Sequence, residues 1–188
     1  MHRKKLLQSI FNYQISKYCL DEDLPIVYRF IQFIKENKNC FQRELKLGHI
    51  TGSAFLLNKD LSKLMLTHHR KLNKWLQLGG HADGDSDILN VALKEAKEES
   101  GIPFIKPLTE EIFDLDIHLI PKSSKEEEHL HYDVRFLLQV QEDAPYCVSS
   151  ESFDLKWVLL DELENYNSEK SILKMRTKFE LTSSTLID

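Results

Sequence analysis

The sequence predicts a layered domain of mixed α and β elements, of α/β or α+β class, carrying a helical N-terminal extension. Three observations predict it. The order along the chain reads as two helices, strands, one helix, strands and closing helices, and such a mixture buries its apolar faces by stacking helices on a sheet. The 188 residues suit one domain rather than two. A hydrophobic fraction of 41% against 29% charged is ordinary for a globular protein and supplies enough apolar material for a core.

Leu7, Ile10, Phe11, Ile15 and Tyr18 recur at three-and-four spacing, and Val27, Phe30, Ile31, Phe33 and Ile34 repeat the pattern. They predict two amphipathic helices joined by an acidic turn over 21–25, with Pro25 in the first turn of the second helix. We place this extension at 1–44 and the main domain at 45–188. Ile50 to Leu57 and Leu64 to His68, split by Asn58-Lys59-Asp60, predict a β-hairpin. The chain around Leu78-Gly79-Gly80-His81 is expected to be a loop, and Ile88 to Ser100 a helix with Asp85 or Ser86 as its N-cap and Gly101 as its left-handed terminus. Ile112 to Ile120 alternates, with Phe113, Leu115, Ile117 and Leu119 on one side and Asp114, Asp116 and His118 on the other. Tyr132 to Val140 and Phe153 to Leu160 are further strands, Asp161 to Tyr166 a short helix, and Ile172 to Phe179 a terminal one. Pro121 to Glu128 is a charged connection that we expect to be solvated.

A formal charge of -5 argues against nucleic-acid binding by phosphate neutralisation. Cys19, Cys40 and Cys147 are odd in number and in no CxxC spacing, so they suggest neither a disulfide framework nor a cysteine zinc site. A cytoplasmic setting is expected. The basic start Met1 to Lys5 is followed by apolar residues broken by Gln8, Ser9, Asn12 and Gln14, which does not fit a secretory signal. No apolar run approaches the ~18 residues of a membrane span.

The helix at Ile88 to Ser100 carries the strongest functional signal. With Ala92 set at 0°, Ile88, Leu89 and Ala96 fall within about 60° of it and mark the buried stripe, and Glu99 falls near -20°, inside that stripe. Glu95 lies on its shoulder. A carboxylate on an apolar face needs a partner. Glu95 and Glu99 also repel each other across one turn, and Glu98 and Glu99 oppose the dipole at the helix end. Ion pairing with Lys94 and Lys97 on a surface helix accounts for Glu95 and Glu98 but not for Glu99. A divalent cation accounts for all three, because Mg²⁺ takes carboxylate oxygens together with substrate phosphates. The glycines of Gly79-Gly80-His81-Ala82-Asp83-Gly84 allow a loop to bring a carbonyl oxygen to such an ion.

From Gly80 to Ile102 the chain resembles the Nudix box, in which Gly is followed after five residues by Glu, then after seven by Arg-Glu-apolar-x-Glu-Glu-x-Gly-apolar. Gly80, Ser86, Lys94, Glu95, Ala96, Lys97, Glu98, Glu99, Ser100, Gly101 and Ile102 stand at the corresponding places. The Trp75 to Gly80 approach and the entry from Glu151 to Trp157 are also similar, so the likeness extends over roughly 50–166. Two supporting positions depart: Ser86 replaces Glu, and Lys94 replaces Arg, keeping charge but losing the planar fork. Asp85 or Asp87 is a candidate to compensate. The resemblance implies a Nudix-like α/β/α sandwich with a mixed sheet.

It also implies a Mg²⁺-dependent hydrolase, with Mn²⁺ as the alternative ion, that cleaves the diphosphate linkage of a nucleoside diphosphate joined to another group. Its metal ligands would be Gly80, Glu95, Glu98 and Glu99, and Glu98 and Glu99 would also be catalytic. The proton acceptor would be a box glutamate or a downstream one. Glu151 matches the downstream position, with Glu126, Glu127 and Glu128 as competitors. Gln77, His81, Tyr132 and Asp133 are candidates for lining the substrate pocket. His129, His131 and Asp133 alternate and would share one strand face, which we read as pocket-lining or solvated rather than as a separate zinc site. Trp75 is read as core in preference to a base-stacking residue, and His68-His69 as surface. The alternative function is a non-catalytic Nudix-like ligand-sensing or protein-binding domain. An isomerase of this fold would need a cysteine near the diglycine, where none stands. A membrane partner is not expected, a nucleic acid is expected only as a capped end, and the N-terminal helices could cover the pocket or form a homodimer.

Overall fold

The structure, a computed structural model, describes residues 2–123, 127–142 and 144–183. Two helices open it, α1 (Arg3–Gln14) and α2 (Leu24–Glu36), with a 3-10 turn at Asp21–Asp23 between them. Pro25 lies in the first turn of α2, where its missing N–H costs nothing. Eight strands form one mixed sheet: β1 (Gly48–Leu57), β2 (Lys63–His69), β3 (Lys74–Leu76), β4 (Leu78–His81), β5 (Ile105–Pro107), β6 (Asp114–Ile120), β7 (His129–Val140) and β8 (Ser152–Leu159). Helix α3 (Ile88–Ser100) crosses between β4 and β5, and α4 (Leu163–Tyr166) and α5 (Lys170–Thr182) close the described chain.

The sheet has the path β3-β2-β1-β7-β5, with β4 on β1, β6 on β7 and β8 on β2. At its centre β1 and β7 run parallel, from Gly48 opposite Leu130 to Leu57 opposite Gln139. All ten residues of β1 are buried, which its small and apolar sequence Gly-His-Ile-Thr-Gly-Ser-Ala-Phe-Leu-Leu permits. Gly52 is where α3 rests on the sheet, since a Cβ there would stand 2.9 Å from the Ile88 carbonyl oxygen. Ala92 and Ala96 are likewise small and fully buried, so the helix axis approaches closely.

On the α3 side of the sheet, Tyr132 stacks on Phe33 of α2 at 3.8 Å between ring centroids and meets Phe30 edge-on. The N-terminal helices therefore share the core of the sheet. On the opposite face, Phe55 packs against Phe113 and against Phe179 of α5. The result is helices on both faces of a mixed sheet, as the resemblance implies. No helix of the described residues is long and apolar enough to cross a membrane.

Three expectations are corrected. Ile50 to Leu57 and Leu64 to His68 do not form an extended hairpin: β1 and β2 pair only at Leu57 and Leu64. Beyond the turn, β1 continues with β4 and β7 while β2 continues with β3 and β8. Leu78 to His81 is a strand rather than a loop, because without side chains Gly79 and Gly80 fit against β1, where a Cβ on Gly79 would meet Ser53 Oγ at 2.4 Å. The N-cap of α3 is Asp87, whose carboxylate accepts the Asn90 N–H; Asp85 accepts the Asp87 N–H and the Asn90 side-chain amide one step further out. Gly101 has the left-handed φ of 71° that ends this helix. In the charged connection Pro121 to Glu128, the described residues 121–123, 127 and 128 are exposed.

Candidate active site

Strand β4 and helix α3 bring the box residues together. Successive residues of β4 point to opposite faces of the sheet, so Gly80 faces α3. A Cβ on Gly80 would lie 2.5 Å from the Glu95 carboxylate, and only a glycine leaves that carboxylate room against the backbone. One turn on, Glu99 enters the helix–sheet interface, and its Oε2 is buried with no hydrogen-bond partner among the described residues.

Burial is the main cause that raises the Glu99 pKa to about 8, with further repulsion from Glu95 and Glu151 and a partial offset from the Gly79 backbone N–H. Glu95 is raised too, again chiefly by burial and then by Glu98, Glu151 and Asp83, against the attraction of Lys94. Such raised carboxylates mark a place that disfavours two bare negative charges.

Glu151 is exposed, just ahead of β8, and its backbone carbonyl accepts the Arg70 N–H at 3.0 Å. Its charge reaches both Glu95 and Glu99. Glu98 is largely exposed and faces Lys94 Nζ at 3.9 Å, while the same ammonium stands 4.0 Å from Glu95. Asp85 and Asp87 do not reach Lys94: they organise the start of α3, and Asp87 also pairs with Lys5 of α1 at 2.6 Å. Ser86 is half-buried beside them. The structure thus gathers Gly80, Glu95, Glu98, Glu99 and Glu151 around one helix end.

The competitors for proton acceptance lie elsewhere or are not described. Glu126 falls outside the described residues. Glu127 and Glu128 stand at the entry to β7, beside the Gly48 end of β1, whereas Gly79 pairs with Ser53, about 17 Å further along that strand.

The four candidate pocket residues have other neighbours. Asp133 is fully buried, accepting from Thr51 Oγ1 at 2.8 Å, Ser53 Oγ at 2.6 Å, Gln77 Nε2 at 3.2 Å and Arg135 Nε at 2.9 Å. Gln77 is held by that bond, and its Oε1 is buried without a partner among the described residues. Tyr132 packs against α2. His81 lies on the far face from Gly80, 5.0 Å from His49 and 5.1 Å from His131 between ring centroids. Trp75 stacks on His68 and meets Tyr166 edge-on, with its carbonyl accepting from Asn167. His69 is half-buried near Glu151; burial lowers its pKa and Glu151 partly restores it.

The donor set at the helix end suits a hard divalent ion: carboxylate oxygens, one of them buried and unpartnered, closing on a glycine backbone that no side chain obstructs. Glu95, Glu98 and Glu99, with the Gly80 carbonyl, are the residues that could hold Mg²⁺ there. A phosphoanhydride brought to such ions would meet a positive local field despite the acidic side chains.

Comparison with known proteins agrees with this geometry. The NUDIX domain family model matches residues 49–177. The "Probable DHNTP pyrophosphohydrolase" of Lactococcus lactis subsp. cremoris (strain MG1363) is 29% identical over 132 residues, 69% of this chain and 77% of that protein. Among solved structures, the C. elegans Ap4A hydrolase in a binary complex superposes with a TM-score of 0.60 at 16% identity, over 72% of this chain and 98% of its own. The E. coli dihydroneopterin triphosphate pyrophosphohydrolase does so with 0.52 at 12% identity, over 72% and 95%. At these identities the structural likeness shows the fold.

Proposed function

The chain belongs to the NUDIX domain family as a Nudix-type pyrophosphohydrolase, and from that premise we propose that it is Mg²⁺-dependent and cleaves the diphosphate linkage of a small nucleoside diphosphate derivative. One observation carries the metal dependence: the buried Glu99 carboxylate, whose Oε2 has no partner among the described residues, is costly beside Glu95 and Glu151 and becomes favourable when a divalent cation joins it. When bound, Mg²⁺ would neutralise the diphosphate and lower the pKa of a coordinated water.

The chain's own residues divide the remaining work. Glu95 and Glu99, held by α3 against β4, would hold the ion and so orient the diphosphate. Lys94 steadies the Glu95–Glu98 side of the set. Glu151, exposed at the rim yet within electrostatic reach of both buried glutamates, accepts the proton of the attacking water. Gln77 and His81 flank the diglycine in sequence, but Gln77 is held on Asp133 and His81 lies on the face away from α3, so neither is assigned to the organic half of the substrate. The Lactococcus relative and the E. coli structure make a pterin triphosphate a member of the panel, and the C. elegans structure adds dinucleoside polyphosphates.

The test is a substrate panel of nucleoside triphosphates, nucleotide sugars, ADP-ribose, a pterin triphosphate, dinucleoside polyphosphates and capped RNA, each with Mg²⁺, with Mn²⁺ and with chelator. Turnover of at least one compound with metal and none with chelator is expected. Glu151→Gln should lower kcat on that substrate and leave KM close to wild type. No turnover across the panel, or turnover undiminished by chelator, overturns the reading.

A further inference from the structure

Five of the eight histidines, His49, His81, His118, His129 and His131, meet on the face of the sheet opposite α3. They come from four strands: His49 is opposite His131 in the β1–β7 register, His118 is opposite His131 in β6–β7, and His81 is opposite Thr51, two residues from His49. Ring centroids of His49 stand 4.8 Å from His131, 4.9 Å from His129 and 5.0 Å from His81. Imidazolium rings would repel one another at these distances. Burial, then the neighbouring histidines, hold the His49 pKa down at about 4 and His131 well below its usual range. His49 and His131 are thus held as neutral imidazoles with lone pairs to offer.

Two details go beyond crowding. His49 is 3% exposed, and neither of its ring nitrogens has a hydrogen-bond partner among the described residues. His129 Nδ1 stands 2.7 Å from the Glu127 carbonyl oxygen, which can only accept, so Nδ1 donates there and Nε2 is the nitrogen left to face an ion. That Nε2 is 3.3 Å from His131 Nε2. Two nitrogens bound to one tetrahedral zinc at its usual Zn–N distance lie roughly 3.4 Å apart. The ligand nitrogens of His49, His129 and His131 all lie within 4.8 Å of one another, so the three rings offer one ion a common centre.

We propose that His49, His129 and His131 bind one zinc-class divalent cation at the β1–β7 junction, in addition to the ion-binding carboxylates on the other face of the sheet. Imidazole nitrogens select borderline ions such as Zn²⁺ or Co²⁺, whereas the carboxylates select Mg²⁺. Strand β4 connects the two: Gly80 faces Glu95, and the next residue, His81, faces the histidines. The ion would brace β1 against β7, beside the strand that backs α3.

The experiment is titration of metal-stripped, full-length protein with Co²⁺ alone and with Zn²⁺ alone, in excess Mg²⁺, read by visible absorption and calorimetry. One equivalent is expected, with the intense visible bands of low-coordinate, nitrogen-ligated Co²⁺, in wild type and equally in Glu99→Gln. His129→Gln, at a half-buried position, should weaken binding at least 100-fold, as should His49→Gln. If the histidine variants fail to fold, imidazole nitrogen NMR of the wild type decides, with Zn²⁺ expected to shift three rings. Binding lost in Glu99→Gln but kept in His129→Gln would overturn the proposal, as would no saturable binding in excess Mg²⁺, or Zn²⁺ leaving the imidazole signals unmoved.

Discussion

Two groups of buried charge lie on opposite faces of the same sheet, and they are built by opposite rules. On the α5 side, Arg135 is almost wholly buried yet bonds Asp133 at 2.9 Å, Asp114 at 3.0 Å and Asp116 at 3.1 Å. Lys178, with no exposed surface, bonds Asp23 and Asp114 at 2.5 Å and the Tyr13 hydroxyl at 2.7 Å, and Lys174 adds Asp23 and Asp114 at 2.9 Å. On the α3 side, Glu95, Glu99 and Glu151 repel one another, and the exposed Lys94 stands 4.0 Å from Glu95. In the first group burial works against the Asp23 and Asp116 carboxylates, but Lys178 and Lys174 in one case and His118 and Arg135 in the other hold them below their usual range. In the second, burial wins and the carboxylates rise. Paired charge is architecture; the carboxylates that burial raises are the ones proposed to hold a metal cation.

The largest test of that contrast is to remove a cation from the paired side. Arg135→Met leaves Asp114, Asp116 and Asp133 without their shared partner and should cost about 3–5 kcal/mol in urea unfolding, a loss typical of an uncompensated buried charge. A variant as stable as wild type would show that the network contributes nothing. On the other side the sign reverses. Glu99→Gln should lower kcat at least 100-fold, while its metal-free form becomes more stable at pH 8 by on the order of 2 kcal/mol, because it no longer buries an ionising carboxylate. Equal stability of the two proteins would place Glu99 among ordinary solvated residues.

The pH dependence follows from the same shift. Glu99 titrates near pH 8 when folded against an ordinary 4.5, so between those values the folded state holds a proton that the unfolded state has released. Metal-free stability should be fullest below about pH 4.5 in this contribution and fall as pH rises towards 8. Saturating Mg²⁺ should flatten the curve, which parallel melts at pH 6 and 8 would show. Gly80→Ala should raise the Mg²⁺ concentration needed for half-maximal activity about tenfold, since its methyl would meet the Glu95 carboxylate. The smallest effect is expected for Asp87→Ala, about 1 kcal/mol from the lost helix cap and the exposed Lys5 pair, with activity retained.

What could be read from the sequence is what is local. Helix α3, its left-handed Gly101 and the inward-facing Glu99 follow from a single periodicity, and the spacing from Gly80 to Ile102 carried the family resemblance. The diglycine strand was hidden because Gly79-Gly80 reads as a turn until β1 is known to lie against it. The histidine cluster was hidden for a related reason. His129 and His131 alternate visibly, but His49, His81 and His118 join them only through strand register. Asp133 was grouped with them by alternation, and the structure commits it to Thr51, Ser53, Gln77 and Arg135. The buried network escaped because Asp23, Asp114 and Lys178 are each unremarkable in their own segments.

The bond between Lys178 and Tyr13 spans 165 positions of sequence. During synthesis, α1, the Asp23 turn and β6 all leave the ribosome before the cations of α5 exist. Until Lys174 and Lys178 emerge, Asp23 and Asp114 lack their ammonium partners, and burying them should be costly. Helix α5 is thus expected to act as a late latch that fixes the seat of the opening helices. A nascent chain stalled before α5 should leave α1 and α2 open to proteases while the β1–β7 centre is already protected.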